Sequence, residues 1–405
     1  MSSWEMTPLG DVADVVPGFA FKSKDWCDEG VPVLKIKNIT GDGSVDTSDA
    51  DCVPSAINTD RMMRYRLGFG DILIAMTGAT AGKVGIIRSH GLFLLNQRVA
   101  KLVPTDVDAG YFWSVVRSEE YEKLFFRLAD GAAQPNMSGS QIERLPIPVP
   151  PLKTQQRIAA ILGAYDDLIE VNRRRVAVLE EMAQGLFEEW FVRFRFPGHE
   201  DVALVDSPDS PLPEGWERRK FGDIAENYDR LRKPLSGKVR STMQGPFPYY
   251  GAAKIFDYID DYLFDGRYLL VAEDGSVITK DGFPMLQLVD GKFWVNNHAH
   301  VVRGSENVTT EFLYLALQRH PIQGYITGAA QPKITQGNLN RIPVVVGDDD
   351  TMEHFCQLVG HIFDLVWNLT LAANQLAASR DLLLPRLISG QLSVEAAERQ
   401  LEDAA

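Results

Sequence analysis

The sequence predicts an α+β protein: two similar globular modules separated by two long antiparallel coiled-coil helices, related by a pseudo-twofold internal repeat. Three observations carry this. The string GAAQP runs from Gly131 to Pro135 and returns from Gly328 to Pro332, a shift of 197. At the same shift Arg144-Leu145-Pro146 becomes Arg341-Ile342-Pro343. Ile158, Tyr165, Asn172, Leu179 and Leu186 become Phe355, Ile362, Leu369, Leu376 and Leu383. Steps of seven are the spacing of a helix-packing seam. The starts of the halves also match: Trp4, Gly10, Asp11 and Ala13 answer Trp216, Gly222, Asp223 and Ala225 at a shift of 212.

The elements follow in order. Residues 1–150 form the first module, in which Val31–Ile39, Asp71–Met76, Val84–Arg88 and Leu92–Leu102 read as strands between Gly-rich turns. Tyr111–Leu128 reads as one helix, and Pro146, Pro148, Pro150 and Pro151 stop regular structure. Residues 151–197 hold the first long helix, N-capped near Thr154 and running towards Phe191. A second apolar row, Leu162, Ile169, Val176, Ala183 and Trp190, flanks the first, and Asp166, Asp167, Glu170, Arg173 and Arg174 take the polar face. About 38 residues at roughly 1.5 Å each give a rod of about 57 Å. Residues 198–212 are a linker rich in Pro and Asp, and 213–346 are the second module. Its expected strands are Tyr268–Ala272, Val277–Thr279, Met285–Val289 and Phe293–Val302. Residues 347–405 carry the second long helix, which starts after three aspartates, is disturbed at Pro385 and ends in a frayed tail.

Composition narrows the function. At 405 residues each module can bury its own core. No apolar run approaching membrane length and no basic leader are expected, and three dispersed cysteines fit a reduced cytoplasm. The net charge of −14 argues against a polyanionic partner, but the distribution reverses that argument. Arg61, Arg64, Arg66, Lys83, Arg88, Arg98 and Lys101 fall in a stretch whose one acid is Asp71. Arg230, Arg232, Lys233, Lys238, Arg240 and Lys254 fall in a stretch with none. A solvated basic face explains one such stretch, while one per repeat points to nucleic acid.

Enzyme signatures fail. Gly78-Ala79-Thr80-Ala81-Gly82-Lys83 is one residue short of a phosphate loop, and Val84 stands where Ser or Thr should bind magnesium. The Asn-Pro-Pro-aromatic box of amino-methyltransferases, GxGxxG and CxxC are all absent. His298 and His300 sit at strand spacing on one expected face but lack a convincing ligand set, so no metal is expected.

The remaining candidates are recognitional. Asn96-Gln97-Arg98 follows Phe93-Leu94-Leu95, and Asn296-Asn297-His298 follows Phe293-Trp294-Val295 at a shift of 200. Asn, Gln and Arg read adenine and guanine edges, although internally bonded turn residues have the same composition. Gln134 and Gln331 belong to the repeated loop, either as contacts or as a structural joint, with Asn136 and Lys333 beside them. Lys35, Lys37, Asn38 and Thr77 are further candidate contacts, and Tyr249 and Tyr250 follow basic residues as nucleic-acid binding requires.

These stretches resemble one family, the DNA-specificity subunit of type I restriction-modification enzymes. The resemblance spans almost the whole chain. It rests on Trp4–Ala13, Gly70-Asp71-Ile72-Leu73, Asn96-Gln97-Arg98, Gly131–Gln156 (GAAQPNMSGSQIERLPIPVPPLKTQQ), Pro213–Ala225 and Leu382–Leu392 (LLLPRLISGQL). The second half departs from it: Val344–Asp350 replaces the proline-rich exit, and Lys333 replaces the Asn of Gln-Pro-Asn. The resemblance implies two target recognition domains, each reading half of a split DNA site, with the helices as ruler and scaffold. It implies two modification subunits that methylate adenine N6 with S-adenosylmethionine, and restriction subunits that use ATP and Mg²⁺. This chain would itself bind no cofactor and catalyse nothing. A metal-dependent nuclease and a two-headed protein scaffold are the rival readings.

Overall fold

The computed structural model describes residues 4–57, 59–129, 136–208, 210–328 and 331–402. It divides into two units, Met1–Glu170 with Ala373–Ala405, and Val171–Ala372.

The first module is two four-stranded sheets. One is antiparallel, in the order Ala13–Pro17, Val99–Pro104, Ile72–Ala75, Val84–Ile86. The other runs Asp51–Val53, Val31–Leu34, Phe93–Leu95, Arg66–Leu67, with its central pair parallel. The strand Ile72–Ala75 is buried on both faces, and the two-residue period of a strand splits it between cores. Ile72 and Ile74 meet the helical residues Tyr111, Phe112 and Val115; Leu73 and Ala75 meet Leu34, Phe93 and Leu95 of the other sheet. Leu269–Val271 repeats this in the second module: Leu269 and Val271 face Phe312 and Leu313, while Leu270 faces Phe293 and Val295. Its two sheets have the same strand order, with Tyr249 and Tyr250 pairing in parallel with Trp294 and Val295.

Each module closes on itself through the residues that the repeat singled out. The Leu9 N–H donates to Leu145 O at 2.8 Å, and the Phe221 N–H to Ile342 O at 2.8 Å. A Cβ on Gly10 would lie 2.9 Å from Glu143 Cβ, and one on Gly222 would lie 2.7 Å from Asn340 Cβ. The paired glycines are thus set by a close approach of chains.

Several expectations need correction. The helix expected over 111–128 is two helices, Ala109–Val116 and Glu119–Ala129, broken where Ser118 Oγ donates to Val115 O. Val277–Thr279 is no strand, and only an isolated bridge joins Ile278 to Pro284. Cys27 and Cys52, distant in sequence, pair backbone to backbone with free thiols. The first long helix, Leu152–Phe187, begins two residues before Thr154 and passes into a π-helical turn, Glu188–Val192. The second, Asp349–Ile388, continues through Pro385, with Asp348 accepting the Thr351 N–H at its start. The tail is not frayed over Val394–Glu402, which is helical. Val394 and Ala397 are buried, and Arg157 binds Glu395 and Glu398.

In the first unit Asp166 of the first long helix meets Arg380 of the second, and Arg157 meets Glu398 of the helix that follows it, Val394–Glu402. In the second unit Trp190 packs on Phe355 while Val171 and Val178 line a groove with Leu365 and Leu369, so the two helical segments there run antiparallel. Of the seven-step residues, Ile158, Phe355 and Ile362 are buried. Tyr165, Asn172, Leu179, Leu186, Leu369, Leu376 and Leu383 are half-buried. The neighbouring rows, Leu162, Ile169, Ala183, Trp190 and Met352, Val359, Val366, Ala373, lie deeper. Asp166 was expected on the polar face; it is buried beneath three arginines, Arg88, Arg117 and Arg380. Contrary to the expectation from apolar runs, Asp349–Ile388 is long and apolar enough to cross a membrane by length and composition. Part of its apolar surface is packed, with Met352, Phe355, Val359, Ile362, Phe363 and Val366 in the core of the second unit, while Leu365, Leu371 and Leu382 are exposed.

Candidate nucleic-acid interface

The polar triplets are corners rather than strand interiors. Asn96-Gln97-Arg98 turns the chain from Phe93–Leu95 in one sheet to Val99–Pro104 in the other. Asn96 is 8% exposed, and its Oδ1 accepts the Arg98 N–H at 3.4 Å. Asn296 is 7% exposed and accepts the His298 N–H at 2.8 Å. Both first asparagines are therefore turn-formers, a correction to their reading as base contacts, because their side chains are used inside the corner. Gln97, Arg98, Asn297 and His298 are exposed beyond them.

Backbone hydrogen bonds gather other candidates around each corner. In the first module Gln97 N–H donates to Phe19 O, Met76 N–H to Arg98 O, and Met137 N–H to Met76 O, at 2.9, 2.9 and 3.0 Å. Thr77 and Asn136 form a bridge beside them. Arg61 and Arg64 are exposed on the 3-10 helix Asp60–Tyr65, and the Tyr65 ring meets Phe19, whose carbonyl holds Gln97. In the second module Glu273 N–H donates to His298 O and Ile334 N–H to Glu273 O, at 2.8 and 2.9 Å, and Asp274 bridges Lys333. Gln331 is exposed on the same segment, whereas Gln134 lies outside the described residues.

Several other basic candidates are paired within the protein. Lys35 pairs with Asp51 at 2.7 Å and lies over the Trp26 ring, and Lys37 reaches Asp49 and Asp51. The Lys35 hydrogen bond and charge hold the Asp51 carboxyl below its usual range, despite some desolvation. Asn38 is 1% exposed and bonded to Lys35 N–H and Asp46 O, a loop brace rather than a phosphate contact. Arg66 is half-buried, Lys101 pairs with Asp71, and Arg88 points to Asp166. Lys83 is half-buried beside Gly41. Arg240 binds Asp257 at 3.1 Å and stacks on Tyr249. Tyr249 is 2% exposed, with its hydroxyl accepting the Leu235 N–H, so it is core and not a surface contact. Tyr250 is half-buried against Phe293, and desolvation pushes its hydroxyl above its usual range. Lys233, Lys238 and Lys254 are exposed.

Arg232 and Lys333 belong to an ionic cluster around His300, which is buried. The expectation that His298 and His300 share a face fails: His298 is in the corner bonding Asp274, and His300 is in the strand Ala299–Gly304. Asp229, Glu273 and His300 offer ligand atoms within 4.8 Å of one another, a set the sequence did not reveal. Arg232 and Lys333 already supply the cations there, which disfavours a divalent metal and with it the nuclease reading.

Sequence reasoning missed an edge strand. Ile255–Ile259 ends its sheet, with Phe256 and Tyr258 54% and 50% exposed and Lys254 over the Phe256 ring. Lys254, Phe256 and Tyr258 alternate at the strand period, which was the available signal.

Two modules with matching polar corners, exposed basic residues and no phosphate loop match a family of DNA readers. The sequence matches the type I restriction modification DNA specificity domain over residues 1–181 and 213–347. The chain belongs to that family. A type I restriction enzyme specificity subunit, MjaIX of Methanocaldococcus jannaschii, is 24% identical over 97% of this chain and 94% of its own length. The EcoKI specificity subunit of Escherichia coli is 25% identical over 46% of this chain and 44% of its own. The crystal structure of the type I restriction-modification system S subunit from M. genitalium covers 95% of this chain and 96% of that one at a TM-score of 0.54 and 16% identity, a likeness of fold. As a specificity subunit, this chain is a non-catalytic DNA-recognition component of a restriction-modification system.

Proposed function

We propose that each module reads one half of a bipartite double-stranded DNA site, while the helices carry two modification subunits and, through the assembly, restriction subunits. The observation that supports this best is the duplicated corner, presenting Gln97 and Arg98 in one module and Asn297 and His298 in the other. Such side chains suit base edges, and nearby exposed Arg61, Arg64, Lys233 and Lys238 suit phosphates. In the second unit a groove of about 580 Å³, lined by Val171, Val178, Leu179, Leu365 and Leu369 with Arg174 and Arg175 beside it, offers a modification subunit an apolar seat. S-adenosylmethionine for adenine N6 methylation, and ATP with Mg²⁺ for translocation and cutting, would be held by those partners. The assembly would act in the cytoplasm, where the DNA is.

Mapping modified adenines in cells that hold this chain and its modification partner tests the reading. Two short specified sequences separated by unspecified base pairs, with adenines about one helical turn apart, would support it. A single continuous target would refute it.

A further inference from the structure

The second module leaves open a face that the first module covers. In the first, residues 35–50 link the strands Val31–Leu34 and Asp51–Val53. This excursion buries Ile39 and Val45 between the sheets and lays the Ser44 carbonyl on the strand Val84–Ile86, where a Cβ on Gly85 would lie 2.7 Å from it. In the second module the equivalent strands, Gln244–Tyr250 and Ile255–Ile259, are joined by residues 251–254 alone. Leu286, Gln287 and Leu288 of the strand Leu286–Val289 therefore stay half-buried. Asp257 lies opposite Tyr249 and binds Arg240. The alternation of a strand thus sends Phe256 and Tyr258 to the other face, where Tyr250 meets Phe293, and there both are exposed.

The open face is built and basic. A Cβ on Gly251 would lie 1.9 Å from the Phe256 ring, so glycine lets the ring rest on the turn. Gln287 Nε2 donates to Gly251 O at 3.0 Å and to Ala252 O at 3.2 Å, fixing that turn. The Asn296 N–H donates to Tyr250 O at 3.1 Å, so the turn adjoins the corner that exposes Asn297 and His298. Lys254 lies over the Phe256 ring and meets no carboxylate among the described residues. It closes the acid-free stretch of a chain whose net charge is −14.

We infer that Lys254, Phe256 and Tyr258 form a second DNA-reading surface of the second module, in which the Phe256 ring reads thymine through its C5-methyl group in the major groove and Lys254 holds the adjoining phosphate. This rests on the two-reader function above. A phenyl ring suits a thymine methyl, and a lysine over that ring places charge and apolar contact on one side of a duplex. A ring already fixed on its turn loses little freedom on binding. The equivalent edge of the first module carries the exposed acids Asp49 and Asp51, engaged with Lys35 and Lys37, which do not suit a phosphate. The surface therefore serves one half-site only.

The test uses the full chain with its modification partner and duplexes of the mapped target in which single thymines are replaced by deoxyuridine. That change removes a methyl group and keeps the base pairing. In one half of the target at least one replacement should weaken wild-type binding about three- to fivefold. Phe256→Ala should bind thymine and uracil duplexes equally at that position, Phe256→Leu should keep part of the difference, and the other half should respond alike in every variant. Lys254→Gln should weaken binding to all duplexes and reduce the salt slope by about one. The wild-type scan and Phe256→Leu stand even if Phe256→Ala misfolds, which its thermal midpoint reports. No methyl dependence in either half, or a dependence that Phe256→Ala retains, would overturn the proposal. Weakened assembly of Phe256→Ala with the modification subunit, at unchanged methyl dependence, would give the face to a protein and overturn it too. A Phe256-dependent methyl contact within a single continuous target would instead overturn the two-reader function and leave the contact standing.

Discussion

Asp166, on the first long helix, accepts a hydrogen bond from Arg380, on the second, at 2.7 Å, with both side chains largely buried. The same oxygen accepts from Arg117 of the first module at 2.8 Å. Desolvation works against the Arg117 charge, and the Asp166 charge opposes that effect. One carboxylate therefore joins module to both helices. Asp166→Asn should lower the stability of the first unit by about 3–5 kcal/mol, because it leaves buried cations without their counter-charge. Adding Arg117→Met should restore part of that loss. Thermal unfolding checks both, and an unchanged midpoint in Asp166→Asn would remove this joint from the account.

The aromatic cluster of the second unit should be equally sensitive. Phe355 is buried among Phe187, Trp190, Phe191 and Phe312. Phe355→Ala should cost about 3–5 kcal/mol in denaturant unfolding. Leu179→Asp should cost less, since Leu179 is half-buried on the open groove near Arg174 and Arg175. The reverse order would show that the seven-step row, and not its deeper neighbour, forms the seam.

Corner residues should separate into two kinds. Asn96→Ala removes an internal hydrogen bond and should lower stability by about 1 kcal/mol. Gln97→Ala and Arg98→Ala should leave unfolding unchanged and relax one half of the methylation target. Arg61→Gln and Arg64→Gln should weaken binding to every duplex and reduce the salt slope by about one each. Binding isotherms at several salt concentrations distinguish these outcomes, and a sequence-dependent loss in Arg61→Gln would reassign it to base reading.

Acid should unfold the second unit preferentially. Desolvation raises Asp229 and Glu273, but His300 at Asp229, and Arg232 and Lys333 at Glu273, leave both below their usual range. Their contribution is complete above the unfolded carboxylate values of about 4 and is lost as pH falls through the lower folded values. Urea midpoints should drop below about pH 4, and more gently in Glu273→Gln. An identical acid slope in that variant would contradict the assignment.

The repeat was legible because its two halves use the same close approaches: Gly10 and Gly222, Leu145 and Ile342. The long helices were legible because seven-step apolar rows need a partner. The corners were not, because Phe93–Leu95 and Val99–Pro104 meet without Gly or Pro and read as one apolar run. Nor does a count of basic residues show their partners. Lys35, Arg232 and Arg240 find Asp51, Glu273 and Asp257 only when strands distant in sequence pair.

The central claim is that the two modules read DNA independently. Its most direct test replaces residues 1–150 with the equivalent module of a relative of different specificity and maps methylated adenines in cells with the modification partner. The account predicts that one half of the target changes and the other half is retained. A target changed in both halves, or unchanged in both, would contradict it.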